Sequence, residues 1–166
     1  MDRPARKPNR LRNYDYSAPG AYFLTICTHE KRCLLSRIPV GAGVLDGPRV
    51  QLTAAGQIVD ETIRELNQHY AYITVDRYVI MPNHIHLLVQ ILEGGPSGTP
   101  APTNEIIPWF VSTLKRLSNK RCGQSLWQRS YHDHIIRDEA DHRRIAEYIE
   151  TNPARWTEDC FYIFEP

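Results

Sequence analysis

Apolar residues gather along the chain in two kinds of run. AYFLTICTHE (residues 21–30) follows the turn signal Pro19-Gly20 and is rich in aromatic and β-branched residues, which predicts a strand. AYITVDRYVIM (71–81) and NHIHLLVQIL (83–92) predict two more, joined tightly at Pro82-Asn83. TAAGQIVDETIRELNQHY (53–70) has a helical period instead. Ile58, Ile63 and Leu66 fall on one face with Val59 alongside, and Thr53 stands where an N-cap belongs. Between the first strand and this helix, short apolar bits broken by Gly41, Gly43, Gly47 and Pro48 suggest a hairpin-like excursion. A second helix is expected over 105–122 and a strand over 131–136. Asp138 caps a last helix running to about Thr151, which Pro153 stops. The aromatic tail ARWTEDCFYIFEP is expected to pack back on the body.

The resulting order is β, α, β, β, α, β, α. A strand–helix–strand unit repeated once is the split βαβ, or ferredoxin-like, arrangement of the α+β class. It consists of an antiparallel sheet with helices on one face. The other face is left to carry a site, and a C-terminal helix follows the repeat. EGGPSGTPAPTNE (93–105) is too rich in Gly, Pro, Ser and Thr to form an element and reads as a surface loop. Residues 1–13 read as a basic, flexible arm, and 14–166 as one domain.

Composition supports one ordinary core: of 166 residues, 42% are hydrophobic and 23% charged. A formal net charge of +1 neither announces nor excludes a nucleic-acid partner, because charge is also clustered locally. Arg3, Arg6, Lys7, Arg10 and Arg12 form one basic cluster, and Lys115, Arg116, Lys120 and Arg121 another. Each suits phosphate binding or, equally, a solvated surface. The four cysteines form no Cys-x-x-Cys pair, which argues against a zinc ribbon or redox motif. Without an export signal or an apolar run of the ~20 residues needed to span a bilayer, a cytoplasmic protein with reduced thiols is expected.

The chemistry gathers at VIMPNHIHLLV. Residues i and i+2 of a strand share a face, so His84 and His86 project together. Two adjacent imidazoles can hold a divalent metal, act as bases, or sit as satisfied core residues. In the last helix, Tyr148 and Asn152 are one turn apart and share a face. Asn152 offers a carbonyl oxygen and Tyr148 a phenol; alternatively, they are a half-buried helix residue and a helix stop.

These motifs carry a family resemblance. MPNHIHLLV resembles the His-hydrophobic-His motif of the HUH nuclease superfamily, and YIETNP the tyrosine helix of its single-tyrosine members. WQRSYHDHIIRD is similar to the segment preceding that helix in REP-associated tyrosine transposases and their insertion-sequence relatives. YDYSAPGAYFLTICTHEKRCL resembles the first strand of a transposase-like subgroup. The resemblance spans most of the chain. It implies that His84, His86 and Asn152 bind Mg²⁺ or Mn²⁺ and that Tyr148 is a nucleophile toward single-stranded DNA beside a hairpin. The tyrosine would retain a 5′ phosphate and release a 3′ hydroxyl, which can then join strands. A free phenol, with pKa near 10, needs the phosphate polarised. No water needs activating, so one metal is sufficient. Members act either as monomers using the tyrosine in cis or as homodimers using it in trans; the short connection from His134 to Tyr148 suits cis use.

Further candidates for DNA contact are Arg144, Arg137, Arg129, Trp127, Gln128, His134, Lys115 and Arg116. Arg144 lies one turn before Tyr148. Trp127 and Gln128 could meet a base, or Trp127 could be core. His134 could face the site, contact DNA or simply pack. Two rival functions remain: a phosphoesterase using metal-activated water, and a hairpin-binding module that does not cut.

Overall fold

The structure is a computed structural model and describes residues 14–39, 49–93 and 106–163. The basic arm, all but the first residue of the 93–105 linker and the glycines of the excursion lie outside the described residues.

Four strands form one antiparallel sheet in the order β4-β5-β1-β6: β1 (Gly20–Cys27), β4 (Ile73–Ile80), β5 (His84–Ile91) and β6 (His132–Ile136). With α1 (Ala54–His69) and α2 (Ile106–Cys122) as the crossovers, this is the expected split βαβ topology. The excursion forms a two-stranded ribbon, β2 (Ser36–Arg37) with β3 (Gln51–Leu52). Helix α3 (Glu139–Thr151) runs into a 3-10 segment, Asn152–Glu158.

The sheet's two faces are both used. Tyr22, Leu24 and Ile26 of β1 and Ile85, Leu87, Val89 and Ile91 of β5 join Val59, Ile63 and Leu66 of α1 and Ile107, Phe110 and Leu114 of α2 in the main core. Alternate residues point the other way. There Ile145 and Ile149 of α3 pack on Leu88, with Phe23 and Val79 beside them. The face expected to be free is therefore partly roofed by α3. Because β5 is central and covered on both sides, it is buried along its length except at Gln90 instead of alternating between buried and exposed positions.

Helix boundaries follow local chemistry. Thr53 Oγ1 accepts from Gly56 N at 3.1 Å, capping α1, and Asp138 accepts from Asp141 N at 2.8 Å, capping α3. The first strand stops at Cys27, short of the expected 30. Glu30 and Lys31 take φ of 55° and 54°, a reversal with no glycine to announce it. Thr28 holds that reversal with the single Oγ1 proton shared between Arg32 O at 2.7 Å and Asn83 O at 3.0 Å. The tail does fold back: Trp156, Met81 and Ile38 form a small cluster joined by Phe161 and Tyr162.

Candidate active site

The β1–β5 register sets Thr25 opposite His86 and Cys27 opposite His84. Both imidazoles are buried on the α3 side of the sheet, with their Nε2 atoms 3.0 Å apart. Burial is the main cause that pushes both pKa values down to about 3; Lys31 adds to the effect on His84, and His84 to that on His86. Both rings are therefore neutral.

Their outer nitrogens are held from behind. Asn83 Nδ2 donates to Lys31 O at 3.2 Å and Phe161 O at 2.7 Å, so the amide cannot flip without facing two carbonyls. Its Oδ1 must then accept the His84 Nδ1 proton across 2.9 Å, leaving His84 Nε2 as a bare lone pair. Thr25 Oγ1 lies 2.9 Å from His86 Nδ1. A hydroxyl can donate or accept, so His86 can present either form of Nε2.

Tyr148 enters from α3. Its hydroxyl is 3.5 Å from His86 Nε2, its ring packs edge-on to Phe23, and the residue remains 37% exposed. Burial of the phenol, then the nearby Asp159 carboxylate and Cys160, raise its pKa above the ordinary value. Asn152 ends the helix one turn on. Its Nδ2 donates to Asp159 Oδ2 at 3.0 Å, while its Oδ1 is buried without a hydrogen-bond partner. Flipping the amide would set Oδ1 against a carboxylate, so Asp159 fixes Oδ1 as the unpaired atom. An orphaned carbonyl oxygen and two buried imidazoles with their outer nitrogens held fit a divalent cation. His84, His86 and Asp159 also converge, with ligand atoms all within 4.8 Å of one another.

Residues 49–152 match the family described as Transposase IS200 like, a span that includes both the His84–His86 and the Tyr148–Asn152 motifs. The chain belongs to the IS200-like transposase family. A Haemophilus influenzae protein named only as uncharacterized is 30% identical over 175 residues, covering 95% of this chain and 93% of that protein. The REP-associated tyrosine transposase of Escherichia coli K12 is 22% identical over 141 residues, covering 84% and 70%. Among solved structures, a REP-associated tyrosine transposase bound to a REP hairpin superimposes with a TM-score of 0.60 at 20% identity, over 88% of this chain and 73% of that one.

The other candidates of this IS200-like chain are scattered. Trp127 is buried in the core, its Nε1 donating to Ser118 Oγ at 2.8 Å, so no ring face is open to a base. The Lys115 ammonium donates to the carbonyls of Gln128, Arg129 and Ser130 at 2.8, 3.2 and 3.1 Å, closing the loop before β6. His134 and Arg144 both grip Asp141, at 2.7 and 2.5 Å, rather than reaching the imidazoles. Arg116, Arg129 and Arg137 are exposed, and Gln128 is half-buried. No helix among the described residues is long and apolar enough to cross a membrane.

Three site residues escaped the sequence reading. Asn83 was legible only as a turn residue. Thr25 becomes visible only once the strand register is known. Asp159 lies beyond the helix, where no periodic spacing connects it to Asn152.

Proposed function

We propose that this chain is a metal-dependent endonuclease and strand transferase that cuts single-stranded DNA beside a hairpin, with Tyr148 as nucleophile. The observation that carries the proposal is the Tyr148 hydroxyl at 3.5 Å from His86 Nε2, within one chain and on a residue that is partly exposed. The Tyr148 oxygen forms a bond to the scissile phosphorus as the bond to the 3′ oxygen breaks. The phenol loses its proton to solvent, the 3′ oxygen takes one up from solvent to leave as a hydroxyl, and the 5′ phosphate stays on the tyrosine. His84, His86 and Asn152 would hold a Mg²⁺ or Mn²⁺ ion, whose positive charge would offset the charge that develops on the phosphate. Asn83 and Thr25 keep the imidazoles aimed, and α3 keeps Tyr148 and Asn152 in register one turn apart. Hairpin DNA as the partner draws support from the family and from the REP hairpin in the related structure. Exposed Arg116, Arg129, Arg137 and Arg144 are proposed to contact phosphates, with Gln128 and His134 beside them. The fixed Lys115 and Trp127 would act by shaping the loop that carries Gln128 and Arg129.

The test is incubation of labelled hairpin-flanked single strands with Mn²⁺ or Mg²⁺, followed by denaturing electrophoresis. A covalent protein–DNA species that survives SDS and disappears in Tyr148→Phe is expected. Cleavage that persists in Tyr148→Phe would instead establish the phosphoesterase using activated water. Tight hairpin binding without any cleavage would establish the binding module.

A further inference from the structure

Asp159 lies seven residues beyond Asn152, outside the region that matches the family. The 3-10 segment and the turn after it carry it back over the site: Asp159 N donates to Trp156 O at 3.1 Å, and Tyr162 N to Asp159 O at 2.9 Å. Buried Trp156 and the Phe161 ring, 4.6 Å from the His84 ring, anchor this return. The Asp159 side chain is 1% exposed. Oδ1 accepts from Phe161 N at 2.7 Å, and Oδ2 from Asn152 Nδ2 at 3.0 Å.

Neutral N–H donors are weak partners for a buried carboxylate, and a metal ion is a much stronger one. Asp159 Oδ2 lies 3.9 Å from His84 Nε2, and the His84 ring is engaged by Asn83 Oδ1 on its other side, at Nδ1. The ligand atoms of His84, His86 and Asp159 all lie within 4.8 Å of one another, an arrangement that a divalent cation can bridge. Ligands about 2.1 Å from an octahedral ion of this size lie about 3.0 Å apart when cis and about 4.2 Å when trans. The two Nε2 atoms are 3.0 Å apart and Asp159 Oδ2 is 3.9 Å from His84 Nε2, close to this range.

We propose that Asp159 is a direct ligand of the divalent ion held by His84, His86 and Asn152, making the site singly anionic instead of neutral. This rests on the metal site of the proposed function. It adds that the tail after α3 completes that site and that the same carboxylate selects the orientation of the Asn152 amide.

The test is a Mn²⁺ titration by calorimetry on the full chain without DNA, with the low-temperature EPR spectrum of the bound ion as a second readout. Wild type, His86→Ala, Asp159→Asn, Asn152→Ala and the double variant Asn152→Ala/Asp159→Asn are compared. Loss of even an outer partner of a metal ligand weakens binding roughly 10- to 100-fold, so Asp159→Asn is expected to weaken it at least 10-fold. The double variant is expected to bind at least 10-fold more weakly than Asn152→Ala alone. If Asp159→Asn binds Mn²⁺ within twofold of wild type, or adds nothing in the Asn152→Ala background, direct ligation is overturned; in the latter case the carboxylate only positions the amide. Should Asp159→Asn fail to fold, as judged by melting in EDTA, Asp159→Glu keeps the charge and is expected to retain Mn²⁺ binding; a folded Asp159→Glu that binds none overturns the proposal. If wild type and His86→Ala bind alike, the metal site itself is refuted, an outcome separate from failure at Asp159 alone.

Discussion

His86 has one hydroxyl behind it, and the two possible directions of that hydrogen bond give it two forms. With Thr25 donating, His86 Nε2 carries a proton and can bond to the bare His84 Nε2 across 3.0 Å. With Thr25 accepting, His86 Nε2 is also bare and both rings are ready for a cation. Thr25→Val keeps the branched shape but removes this partner. Mn²⁺ affinity is expected to fall about 10- to 100-fold, and stability by about 1–3 kcal/mol as a buried ring nitrogen loses its bond. Calorimetry and urea unfolding check the two effects, and unchanged affinity would remove Thr25 from the site. Spacing showed that His84 and His86 share a strand face and that Tyr148 and Asn152 share a helix face, because strand and helix periods are local rules; only the family resemblance joined the two pairs. Thr25 and Asp159 were not legible, since each meets its partner only through long-range pairing.

At the level of elements, α1 and α3 set the geometry in different ways. A Cβ on Gly56 would lie 1.9 Å from Leu35 O, so α1 can approach the loop before β2 only with a glycine there. In an exposed helix, alanine would be favoured by about 1 kcal/mol. Here Gly56→Ala is expected to destabilise the protein by about 1–3 kcal/mol through overpacking, read as a fall of roughly 2–10 °C in the melting midpoint. Helix α3 is seated by Ile145 and Ile149 on Leu88, by an ion pair from Arg77 to Glu150 and by the Asp138 cap. Asp138→Ala is expected to lower stability by about 1 kcal/mol, measured by urea unfolding. Cleavage should fall further than that loss of stability explains if the cap also keeps Tyr148 in place. The period of 53–70 predicted α1 almost to its ends. The early stop of β1 was hidden, because its reversal uses Glu30 and Lys31 at positive φ in place of glycine.

On the scale of the molecule, the cluster of His84, His86, Tyr148, Asn152 and Asp159 is complete within one chain, which suits a tyrosine used in cis. Mixing Tyr148→Phe with a His84→Ala/His86→Ala chain is then expected to restore no covalent DNA adduct. An adduct recovered on mixing, visible by SDS electrophoresis, would require the tyrosine to cross between subunits. Metal should also stabilise the fold: at one hundred times its dissociation constant a bound ion contributes about 2.7 kcal/mol. A Mn²⁺-induced rise in melting midpoint of roughly 5–10 °C, reversed by EDTA, is expected.

By itself the sequence determined the class of fold and the order of its main elements, and with a family resemblance it marked four candidate groups for the site. Hydrophobic period, caps and turn residues act over a few positions and leave their mark on the chain directly. Tertiary structure decided the rest. It placed α3 on the sheet face that the strand order left open, buried Trp127 away from any base, and turned Lys115 onto three carbonyls. It also returned Asp159 to the histidines. The reason is physical: those outcomes depend on which surfaces meet when the core closes, and a pairing across 75 residues, as between His84 and Asp159, has no local period to announce it.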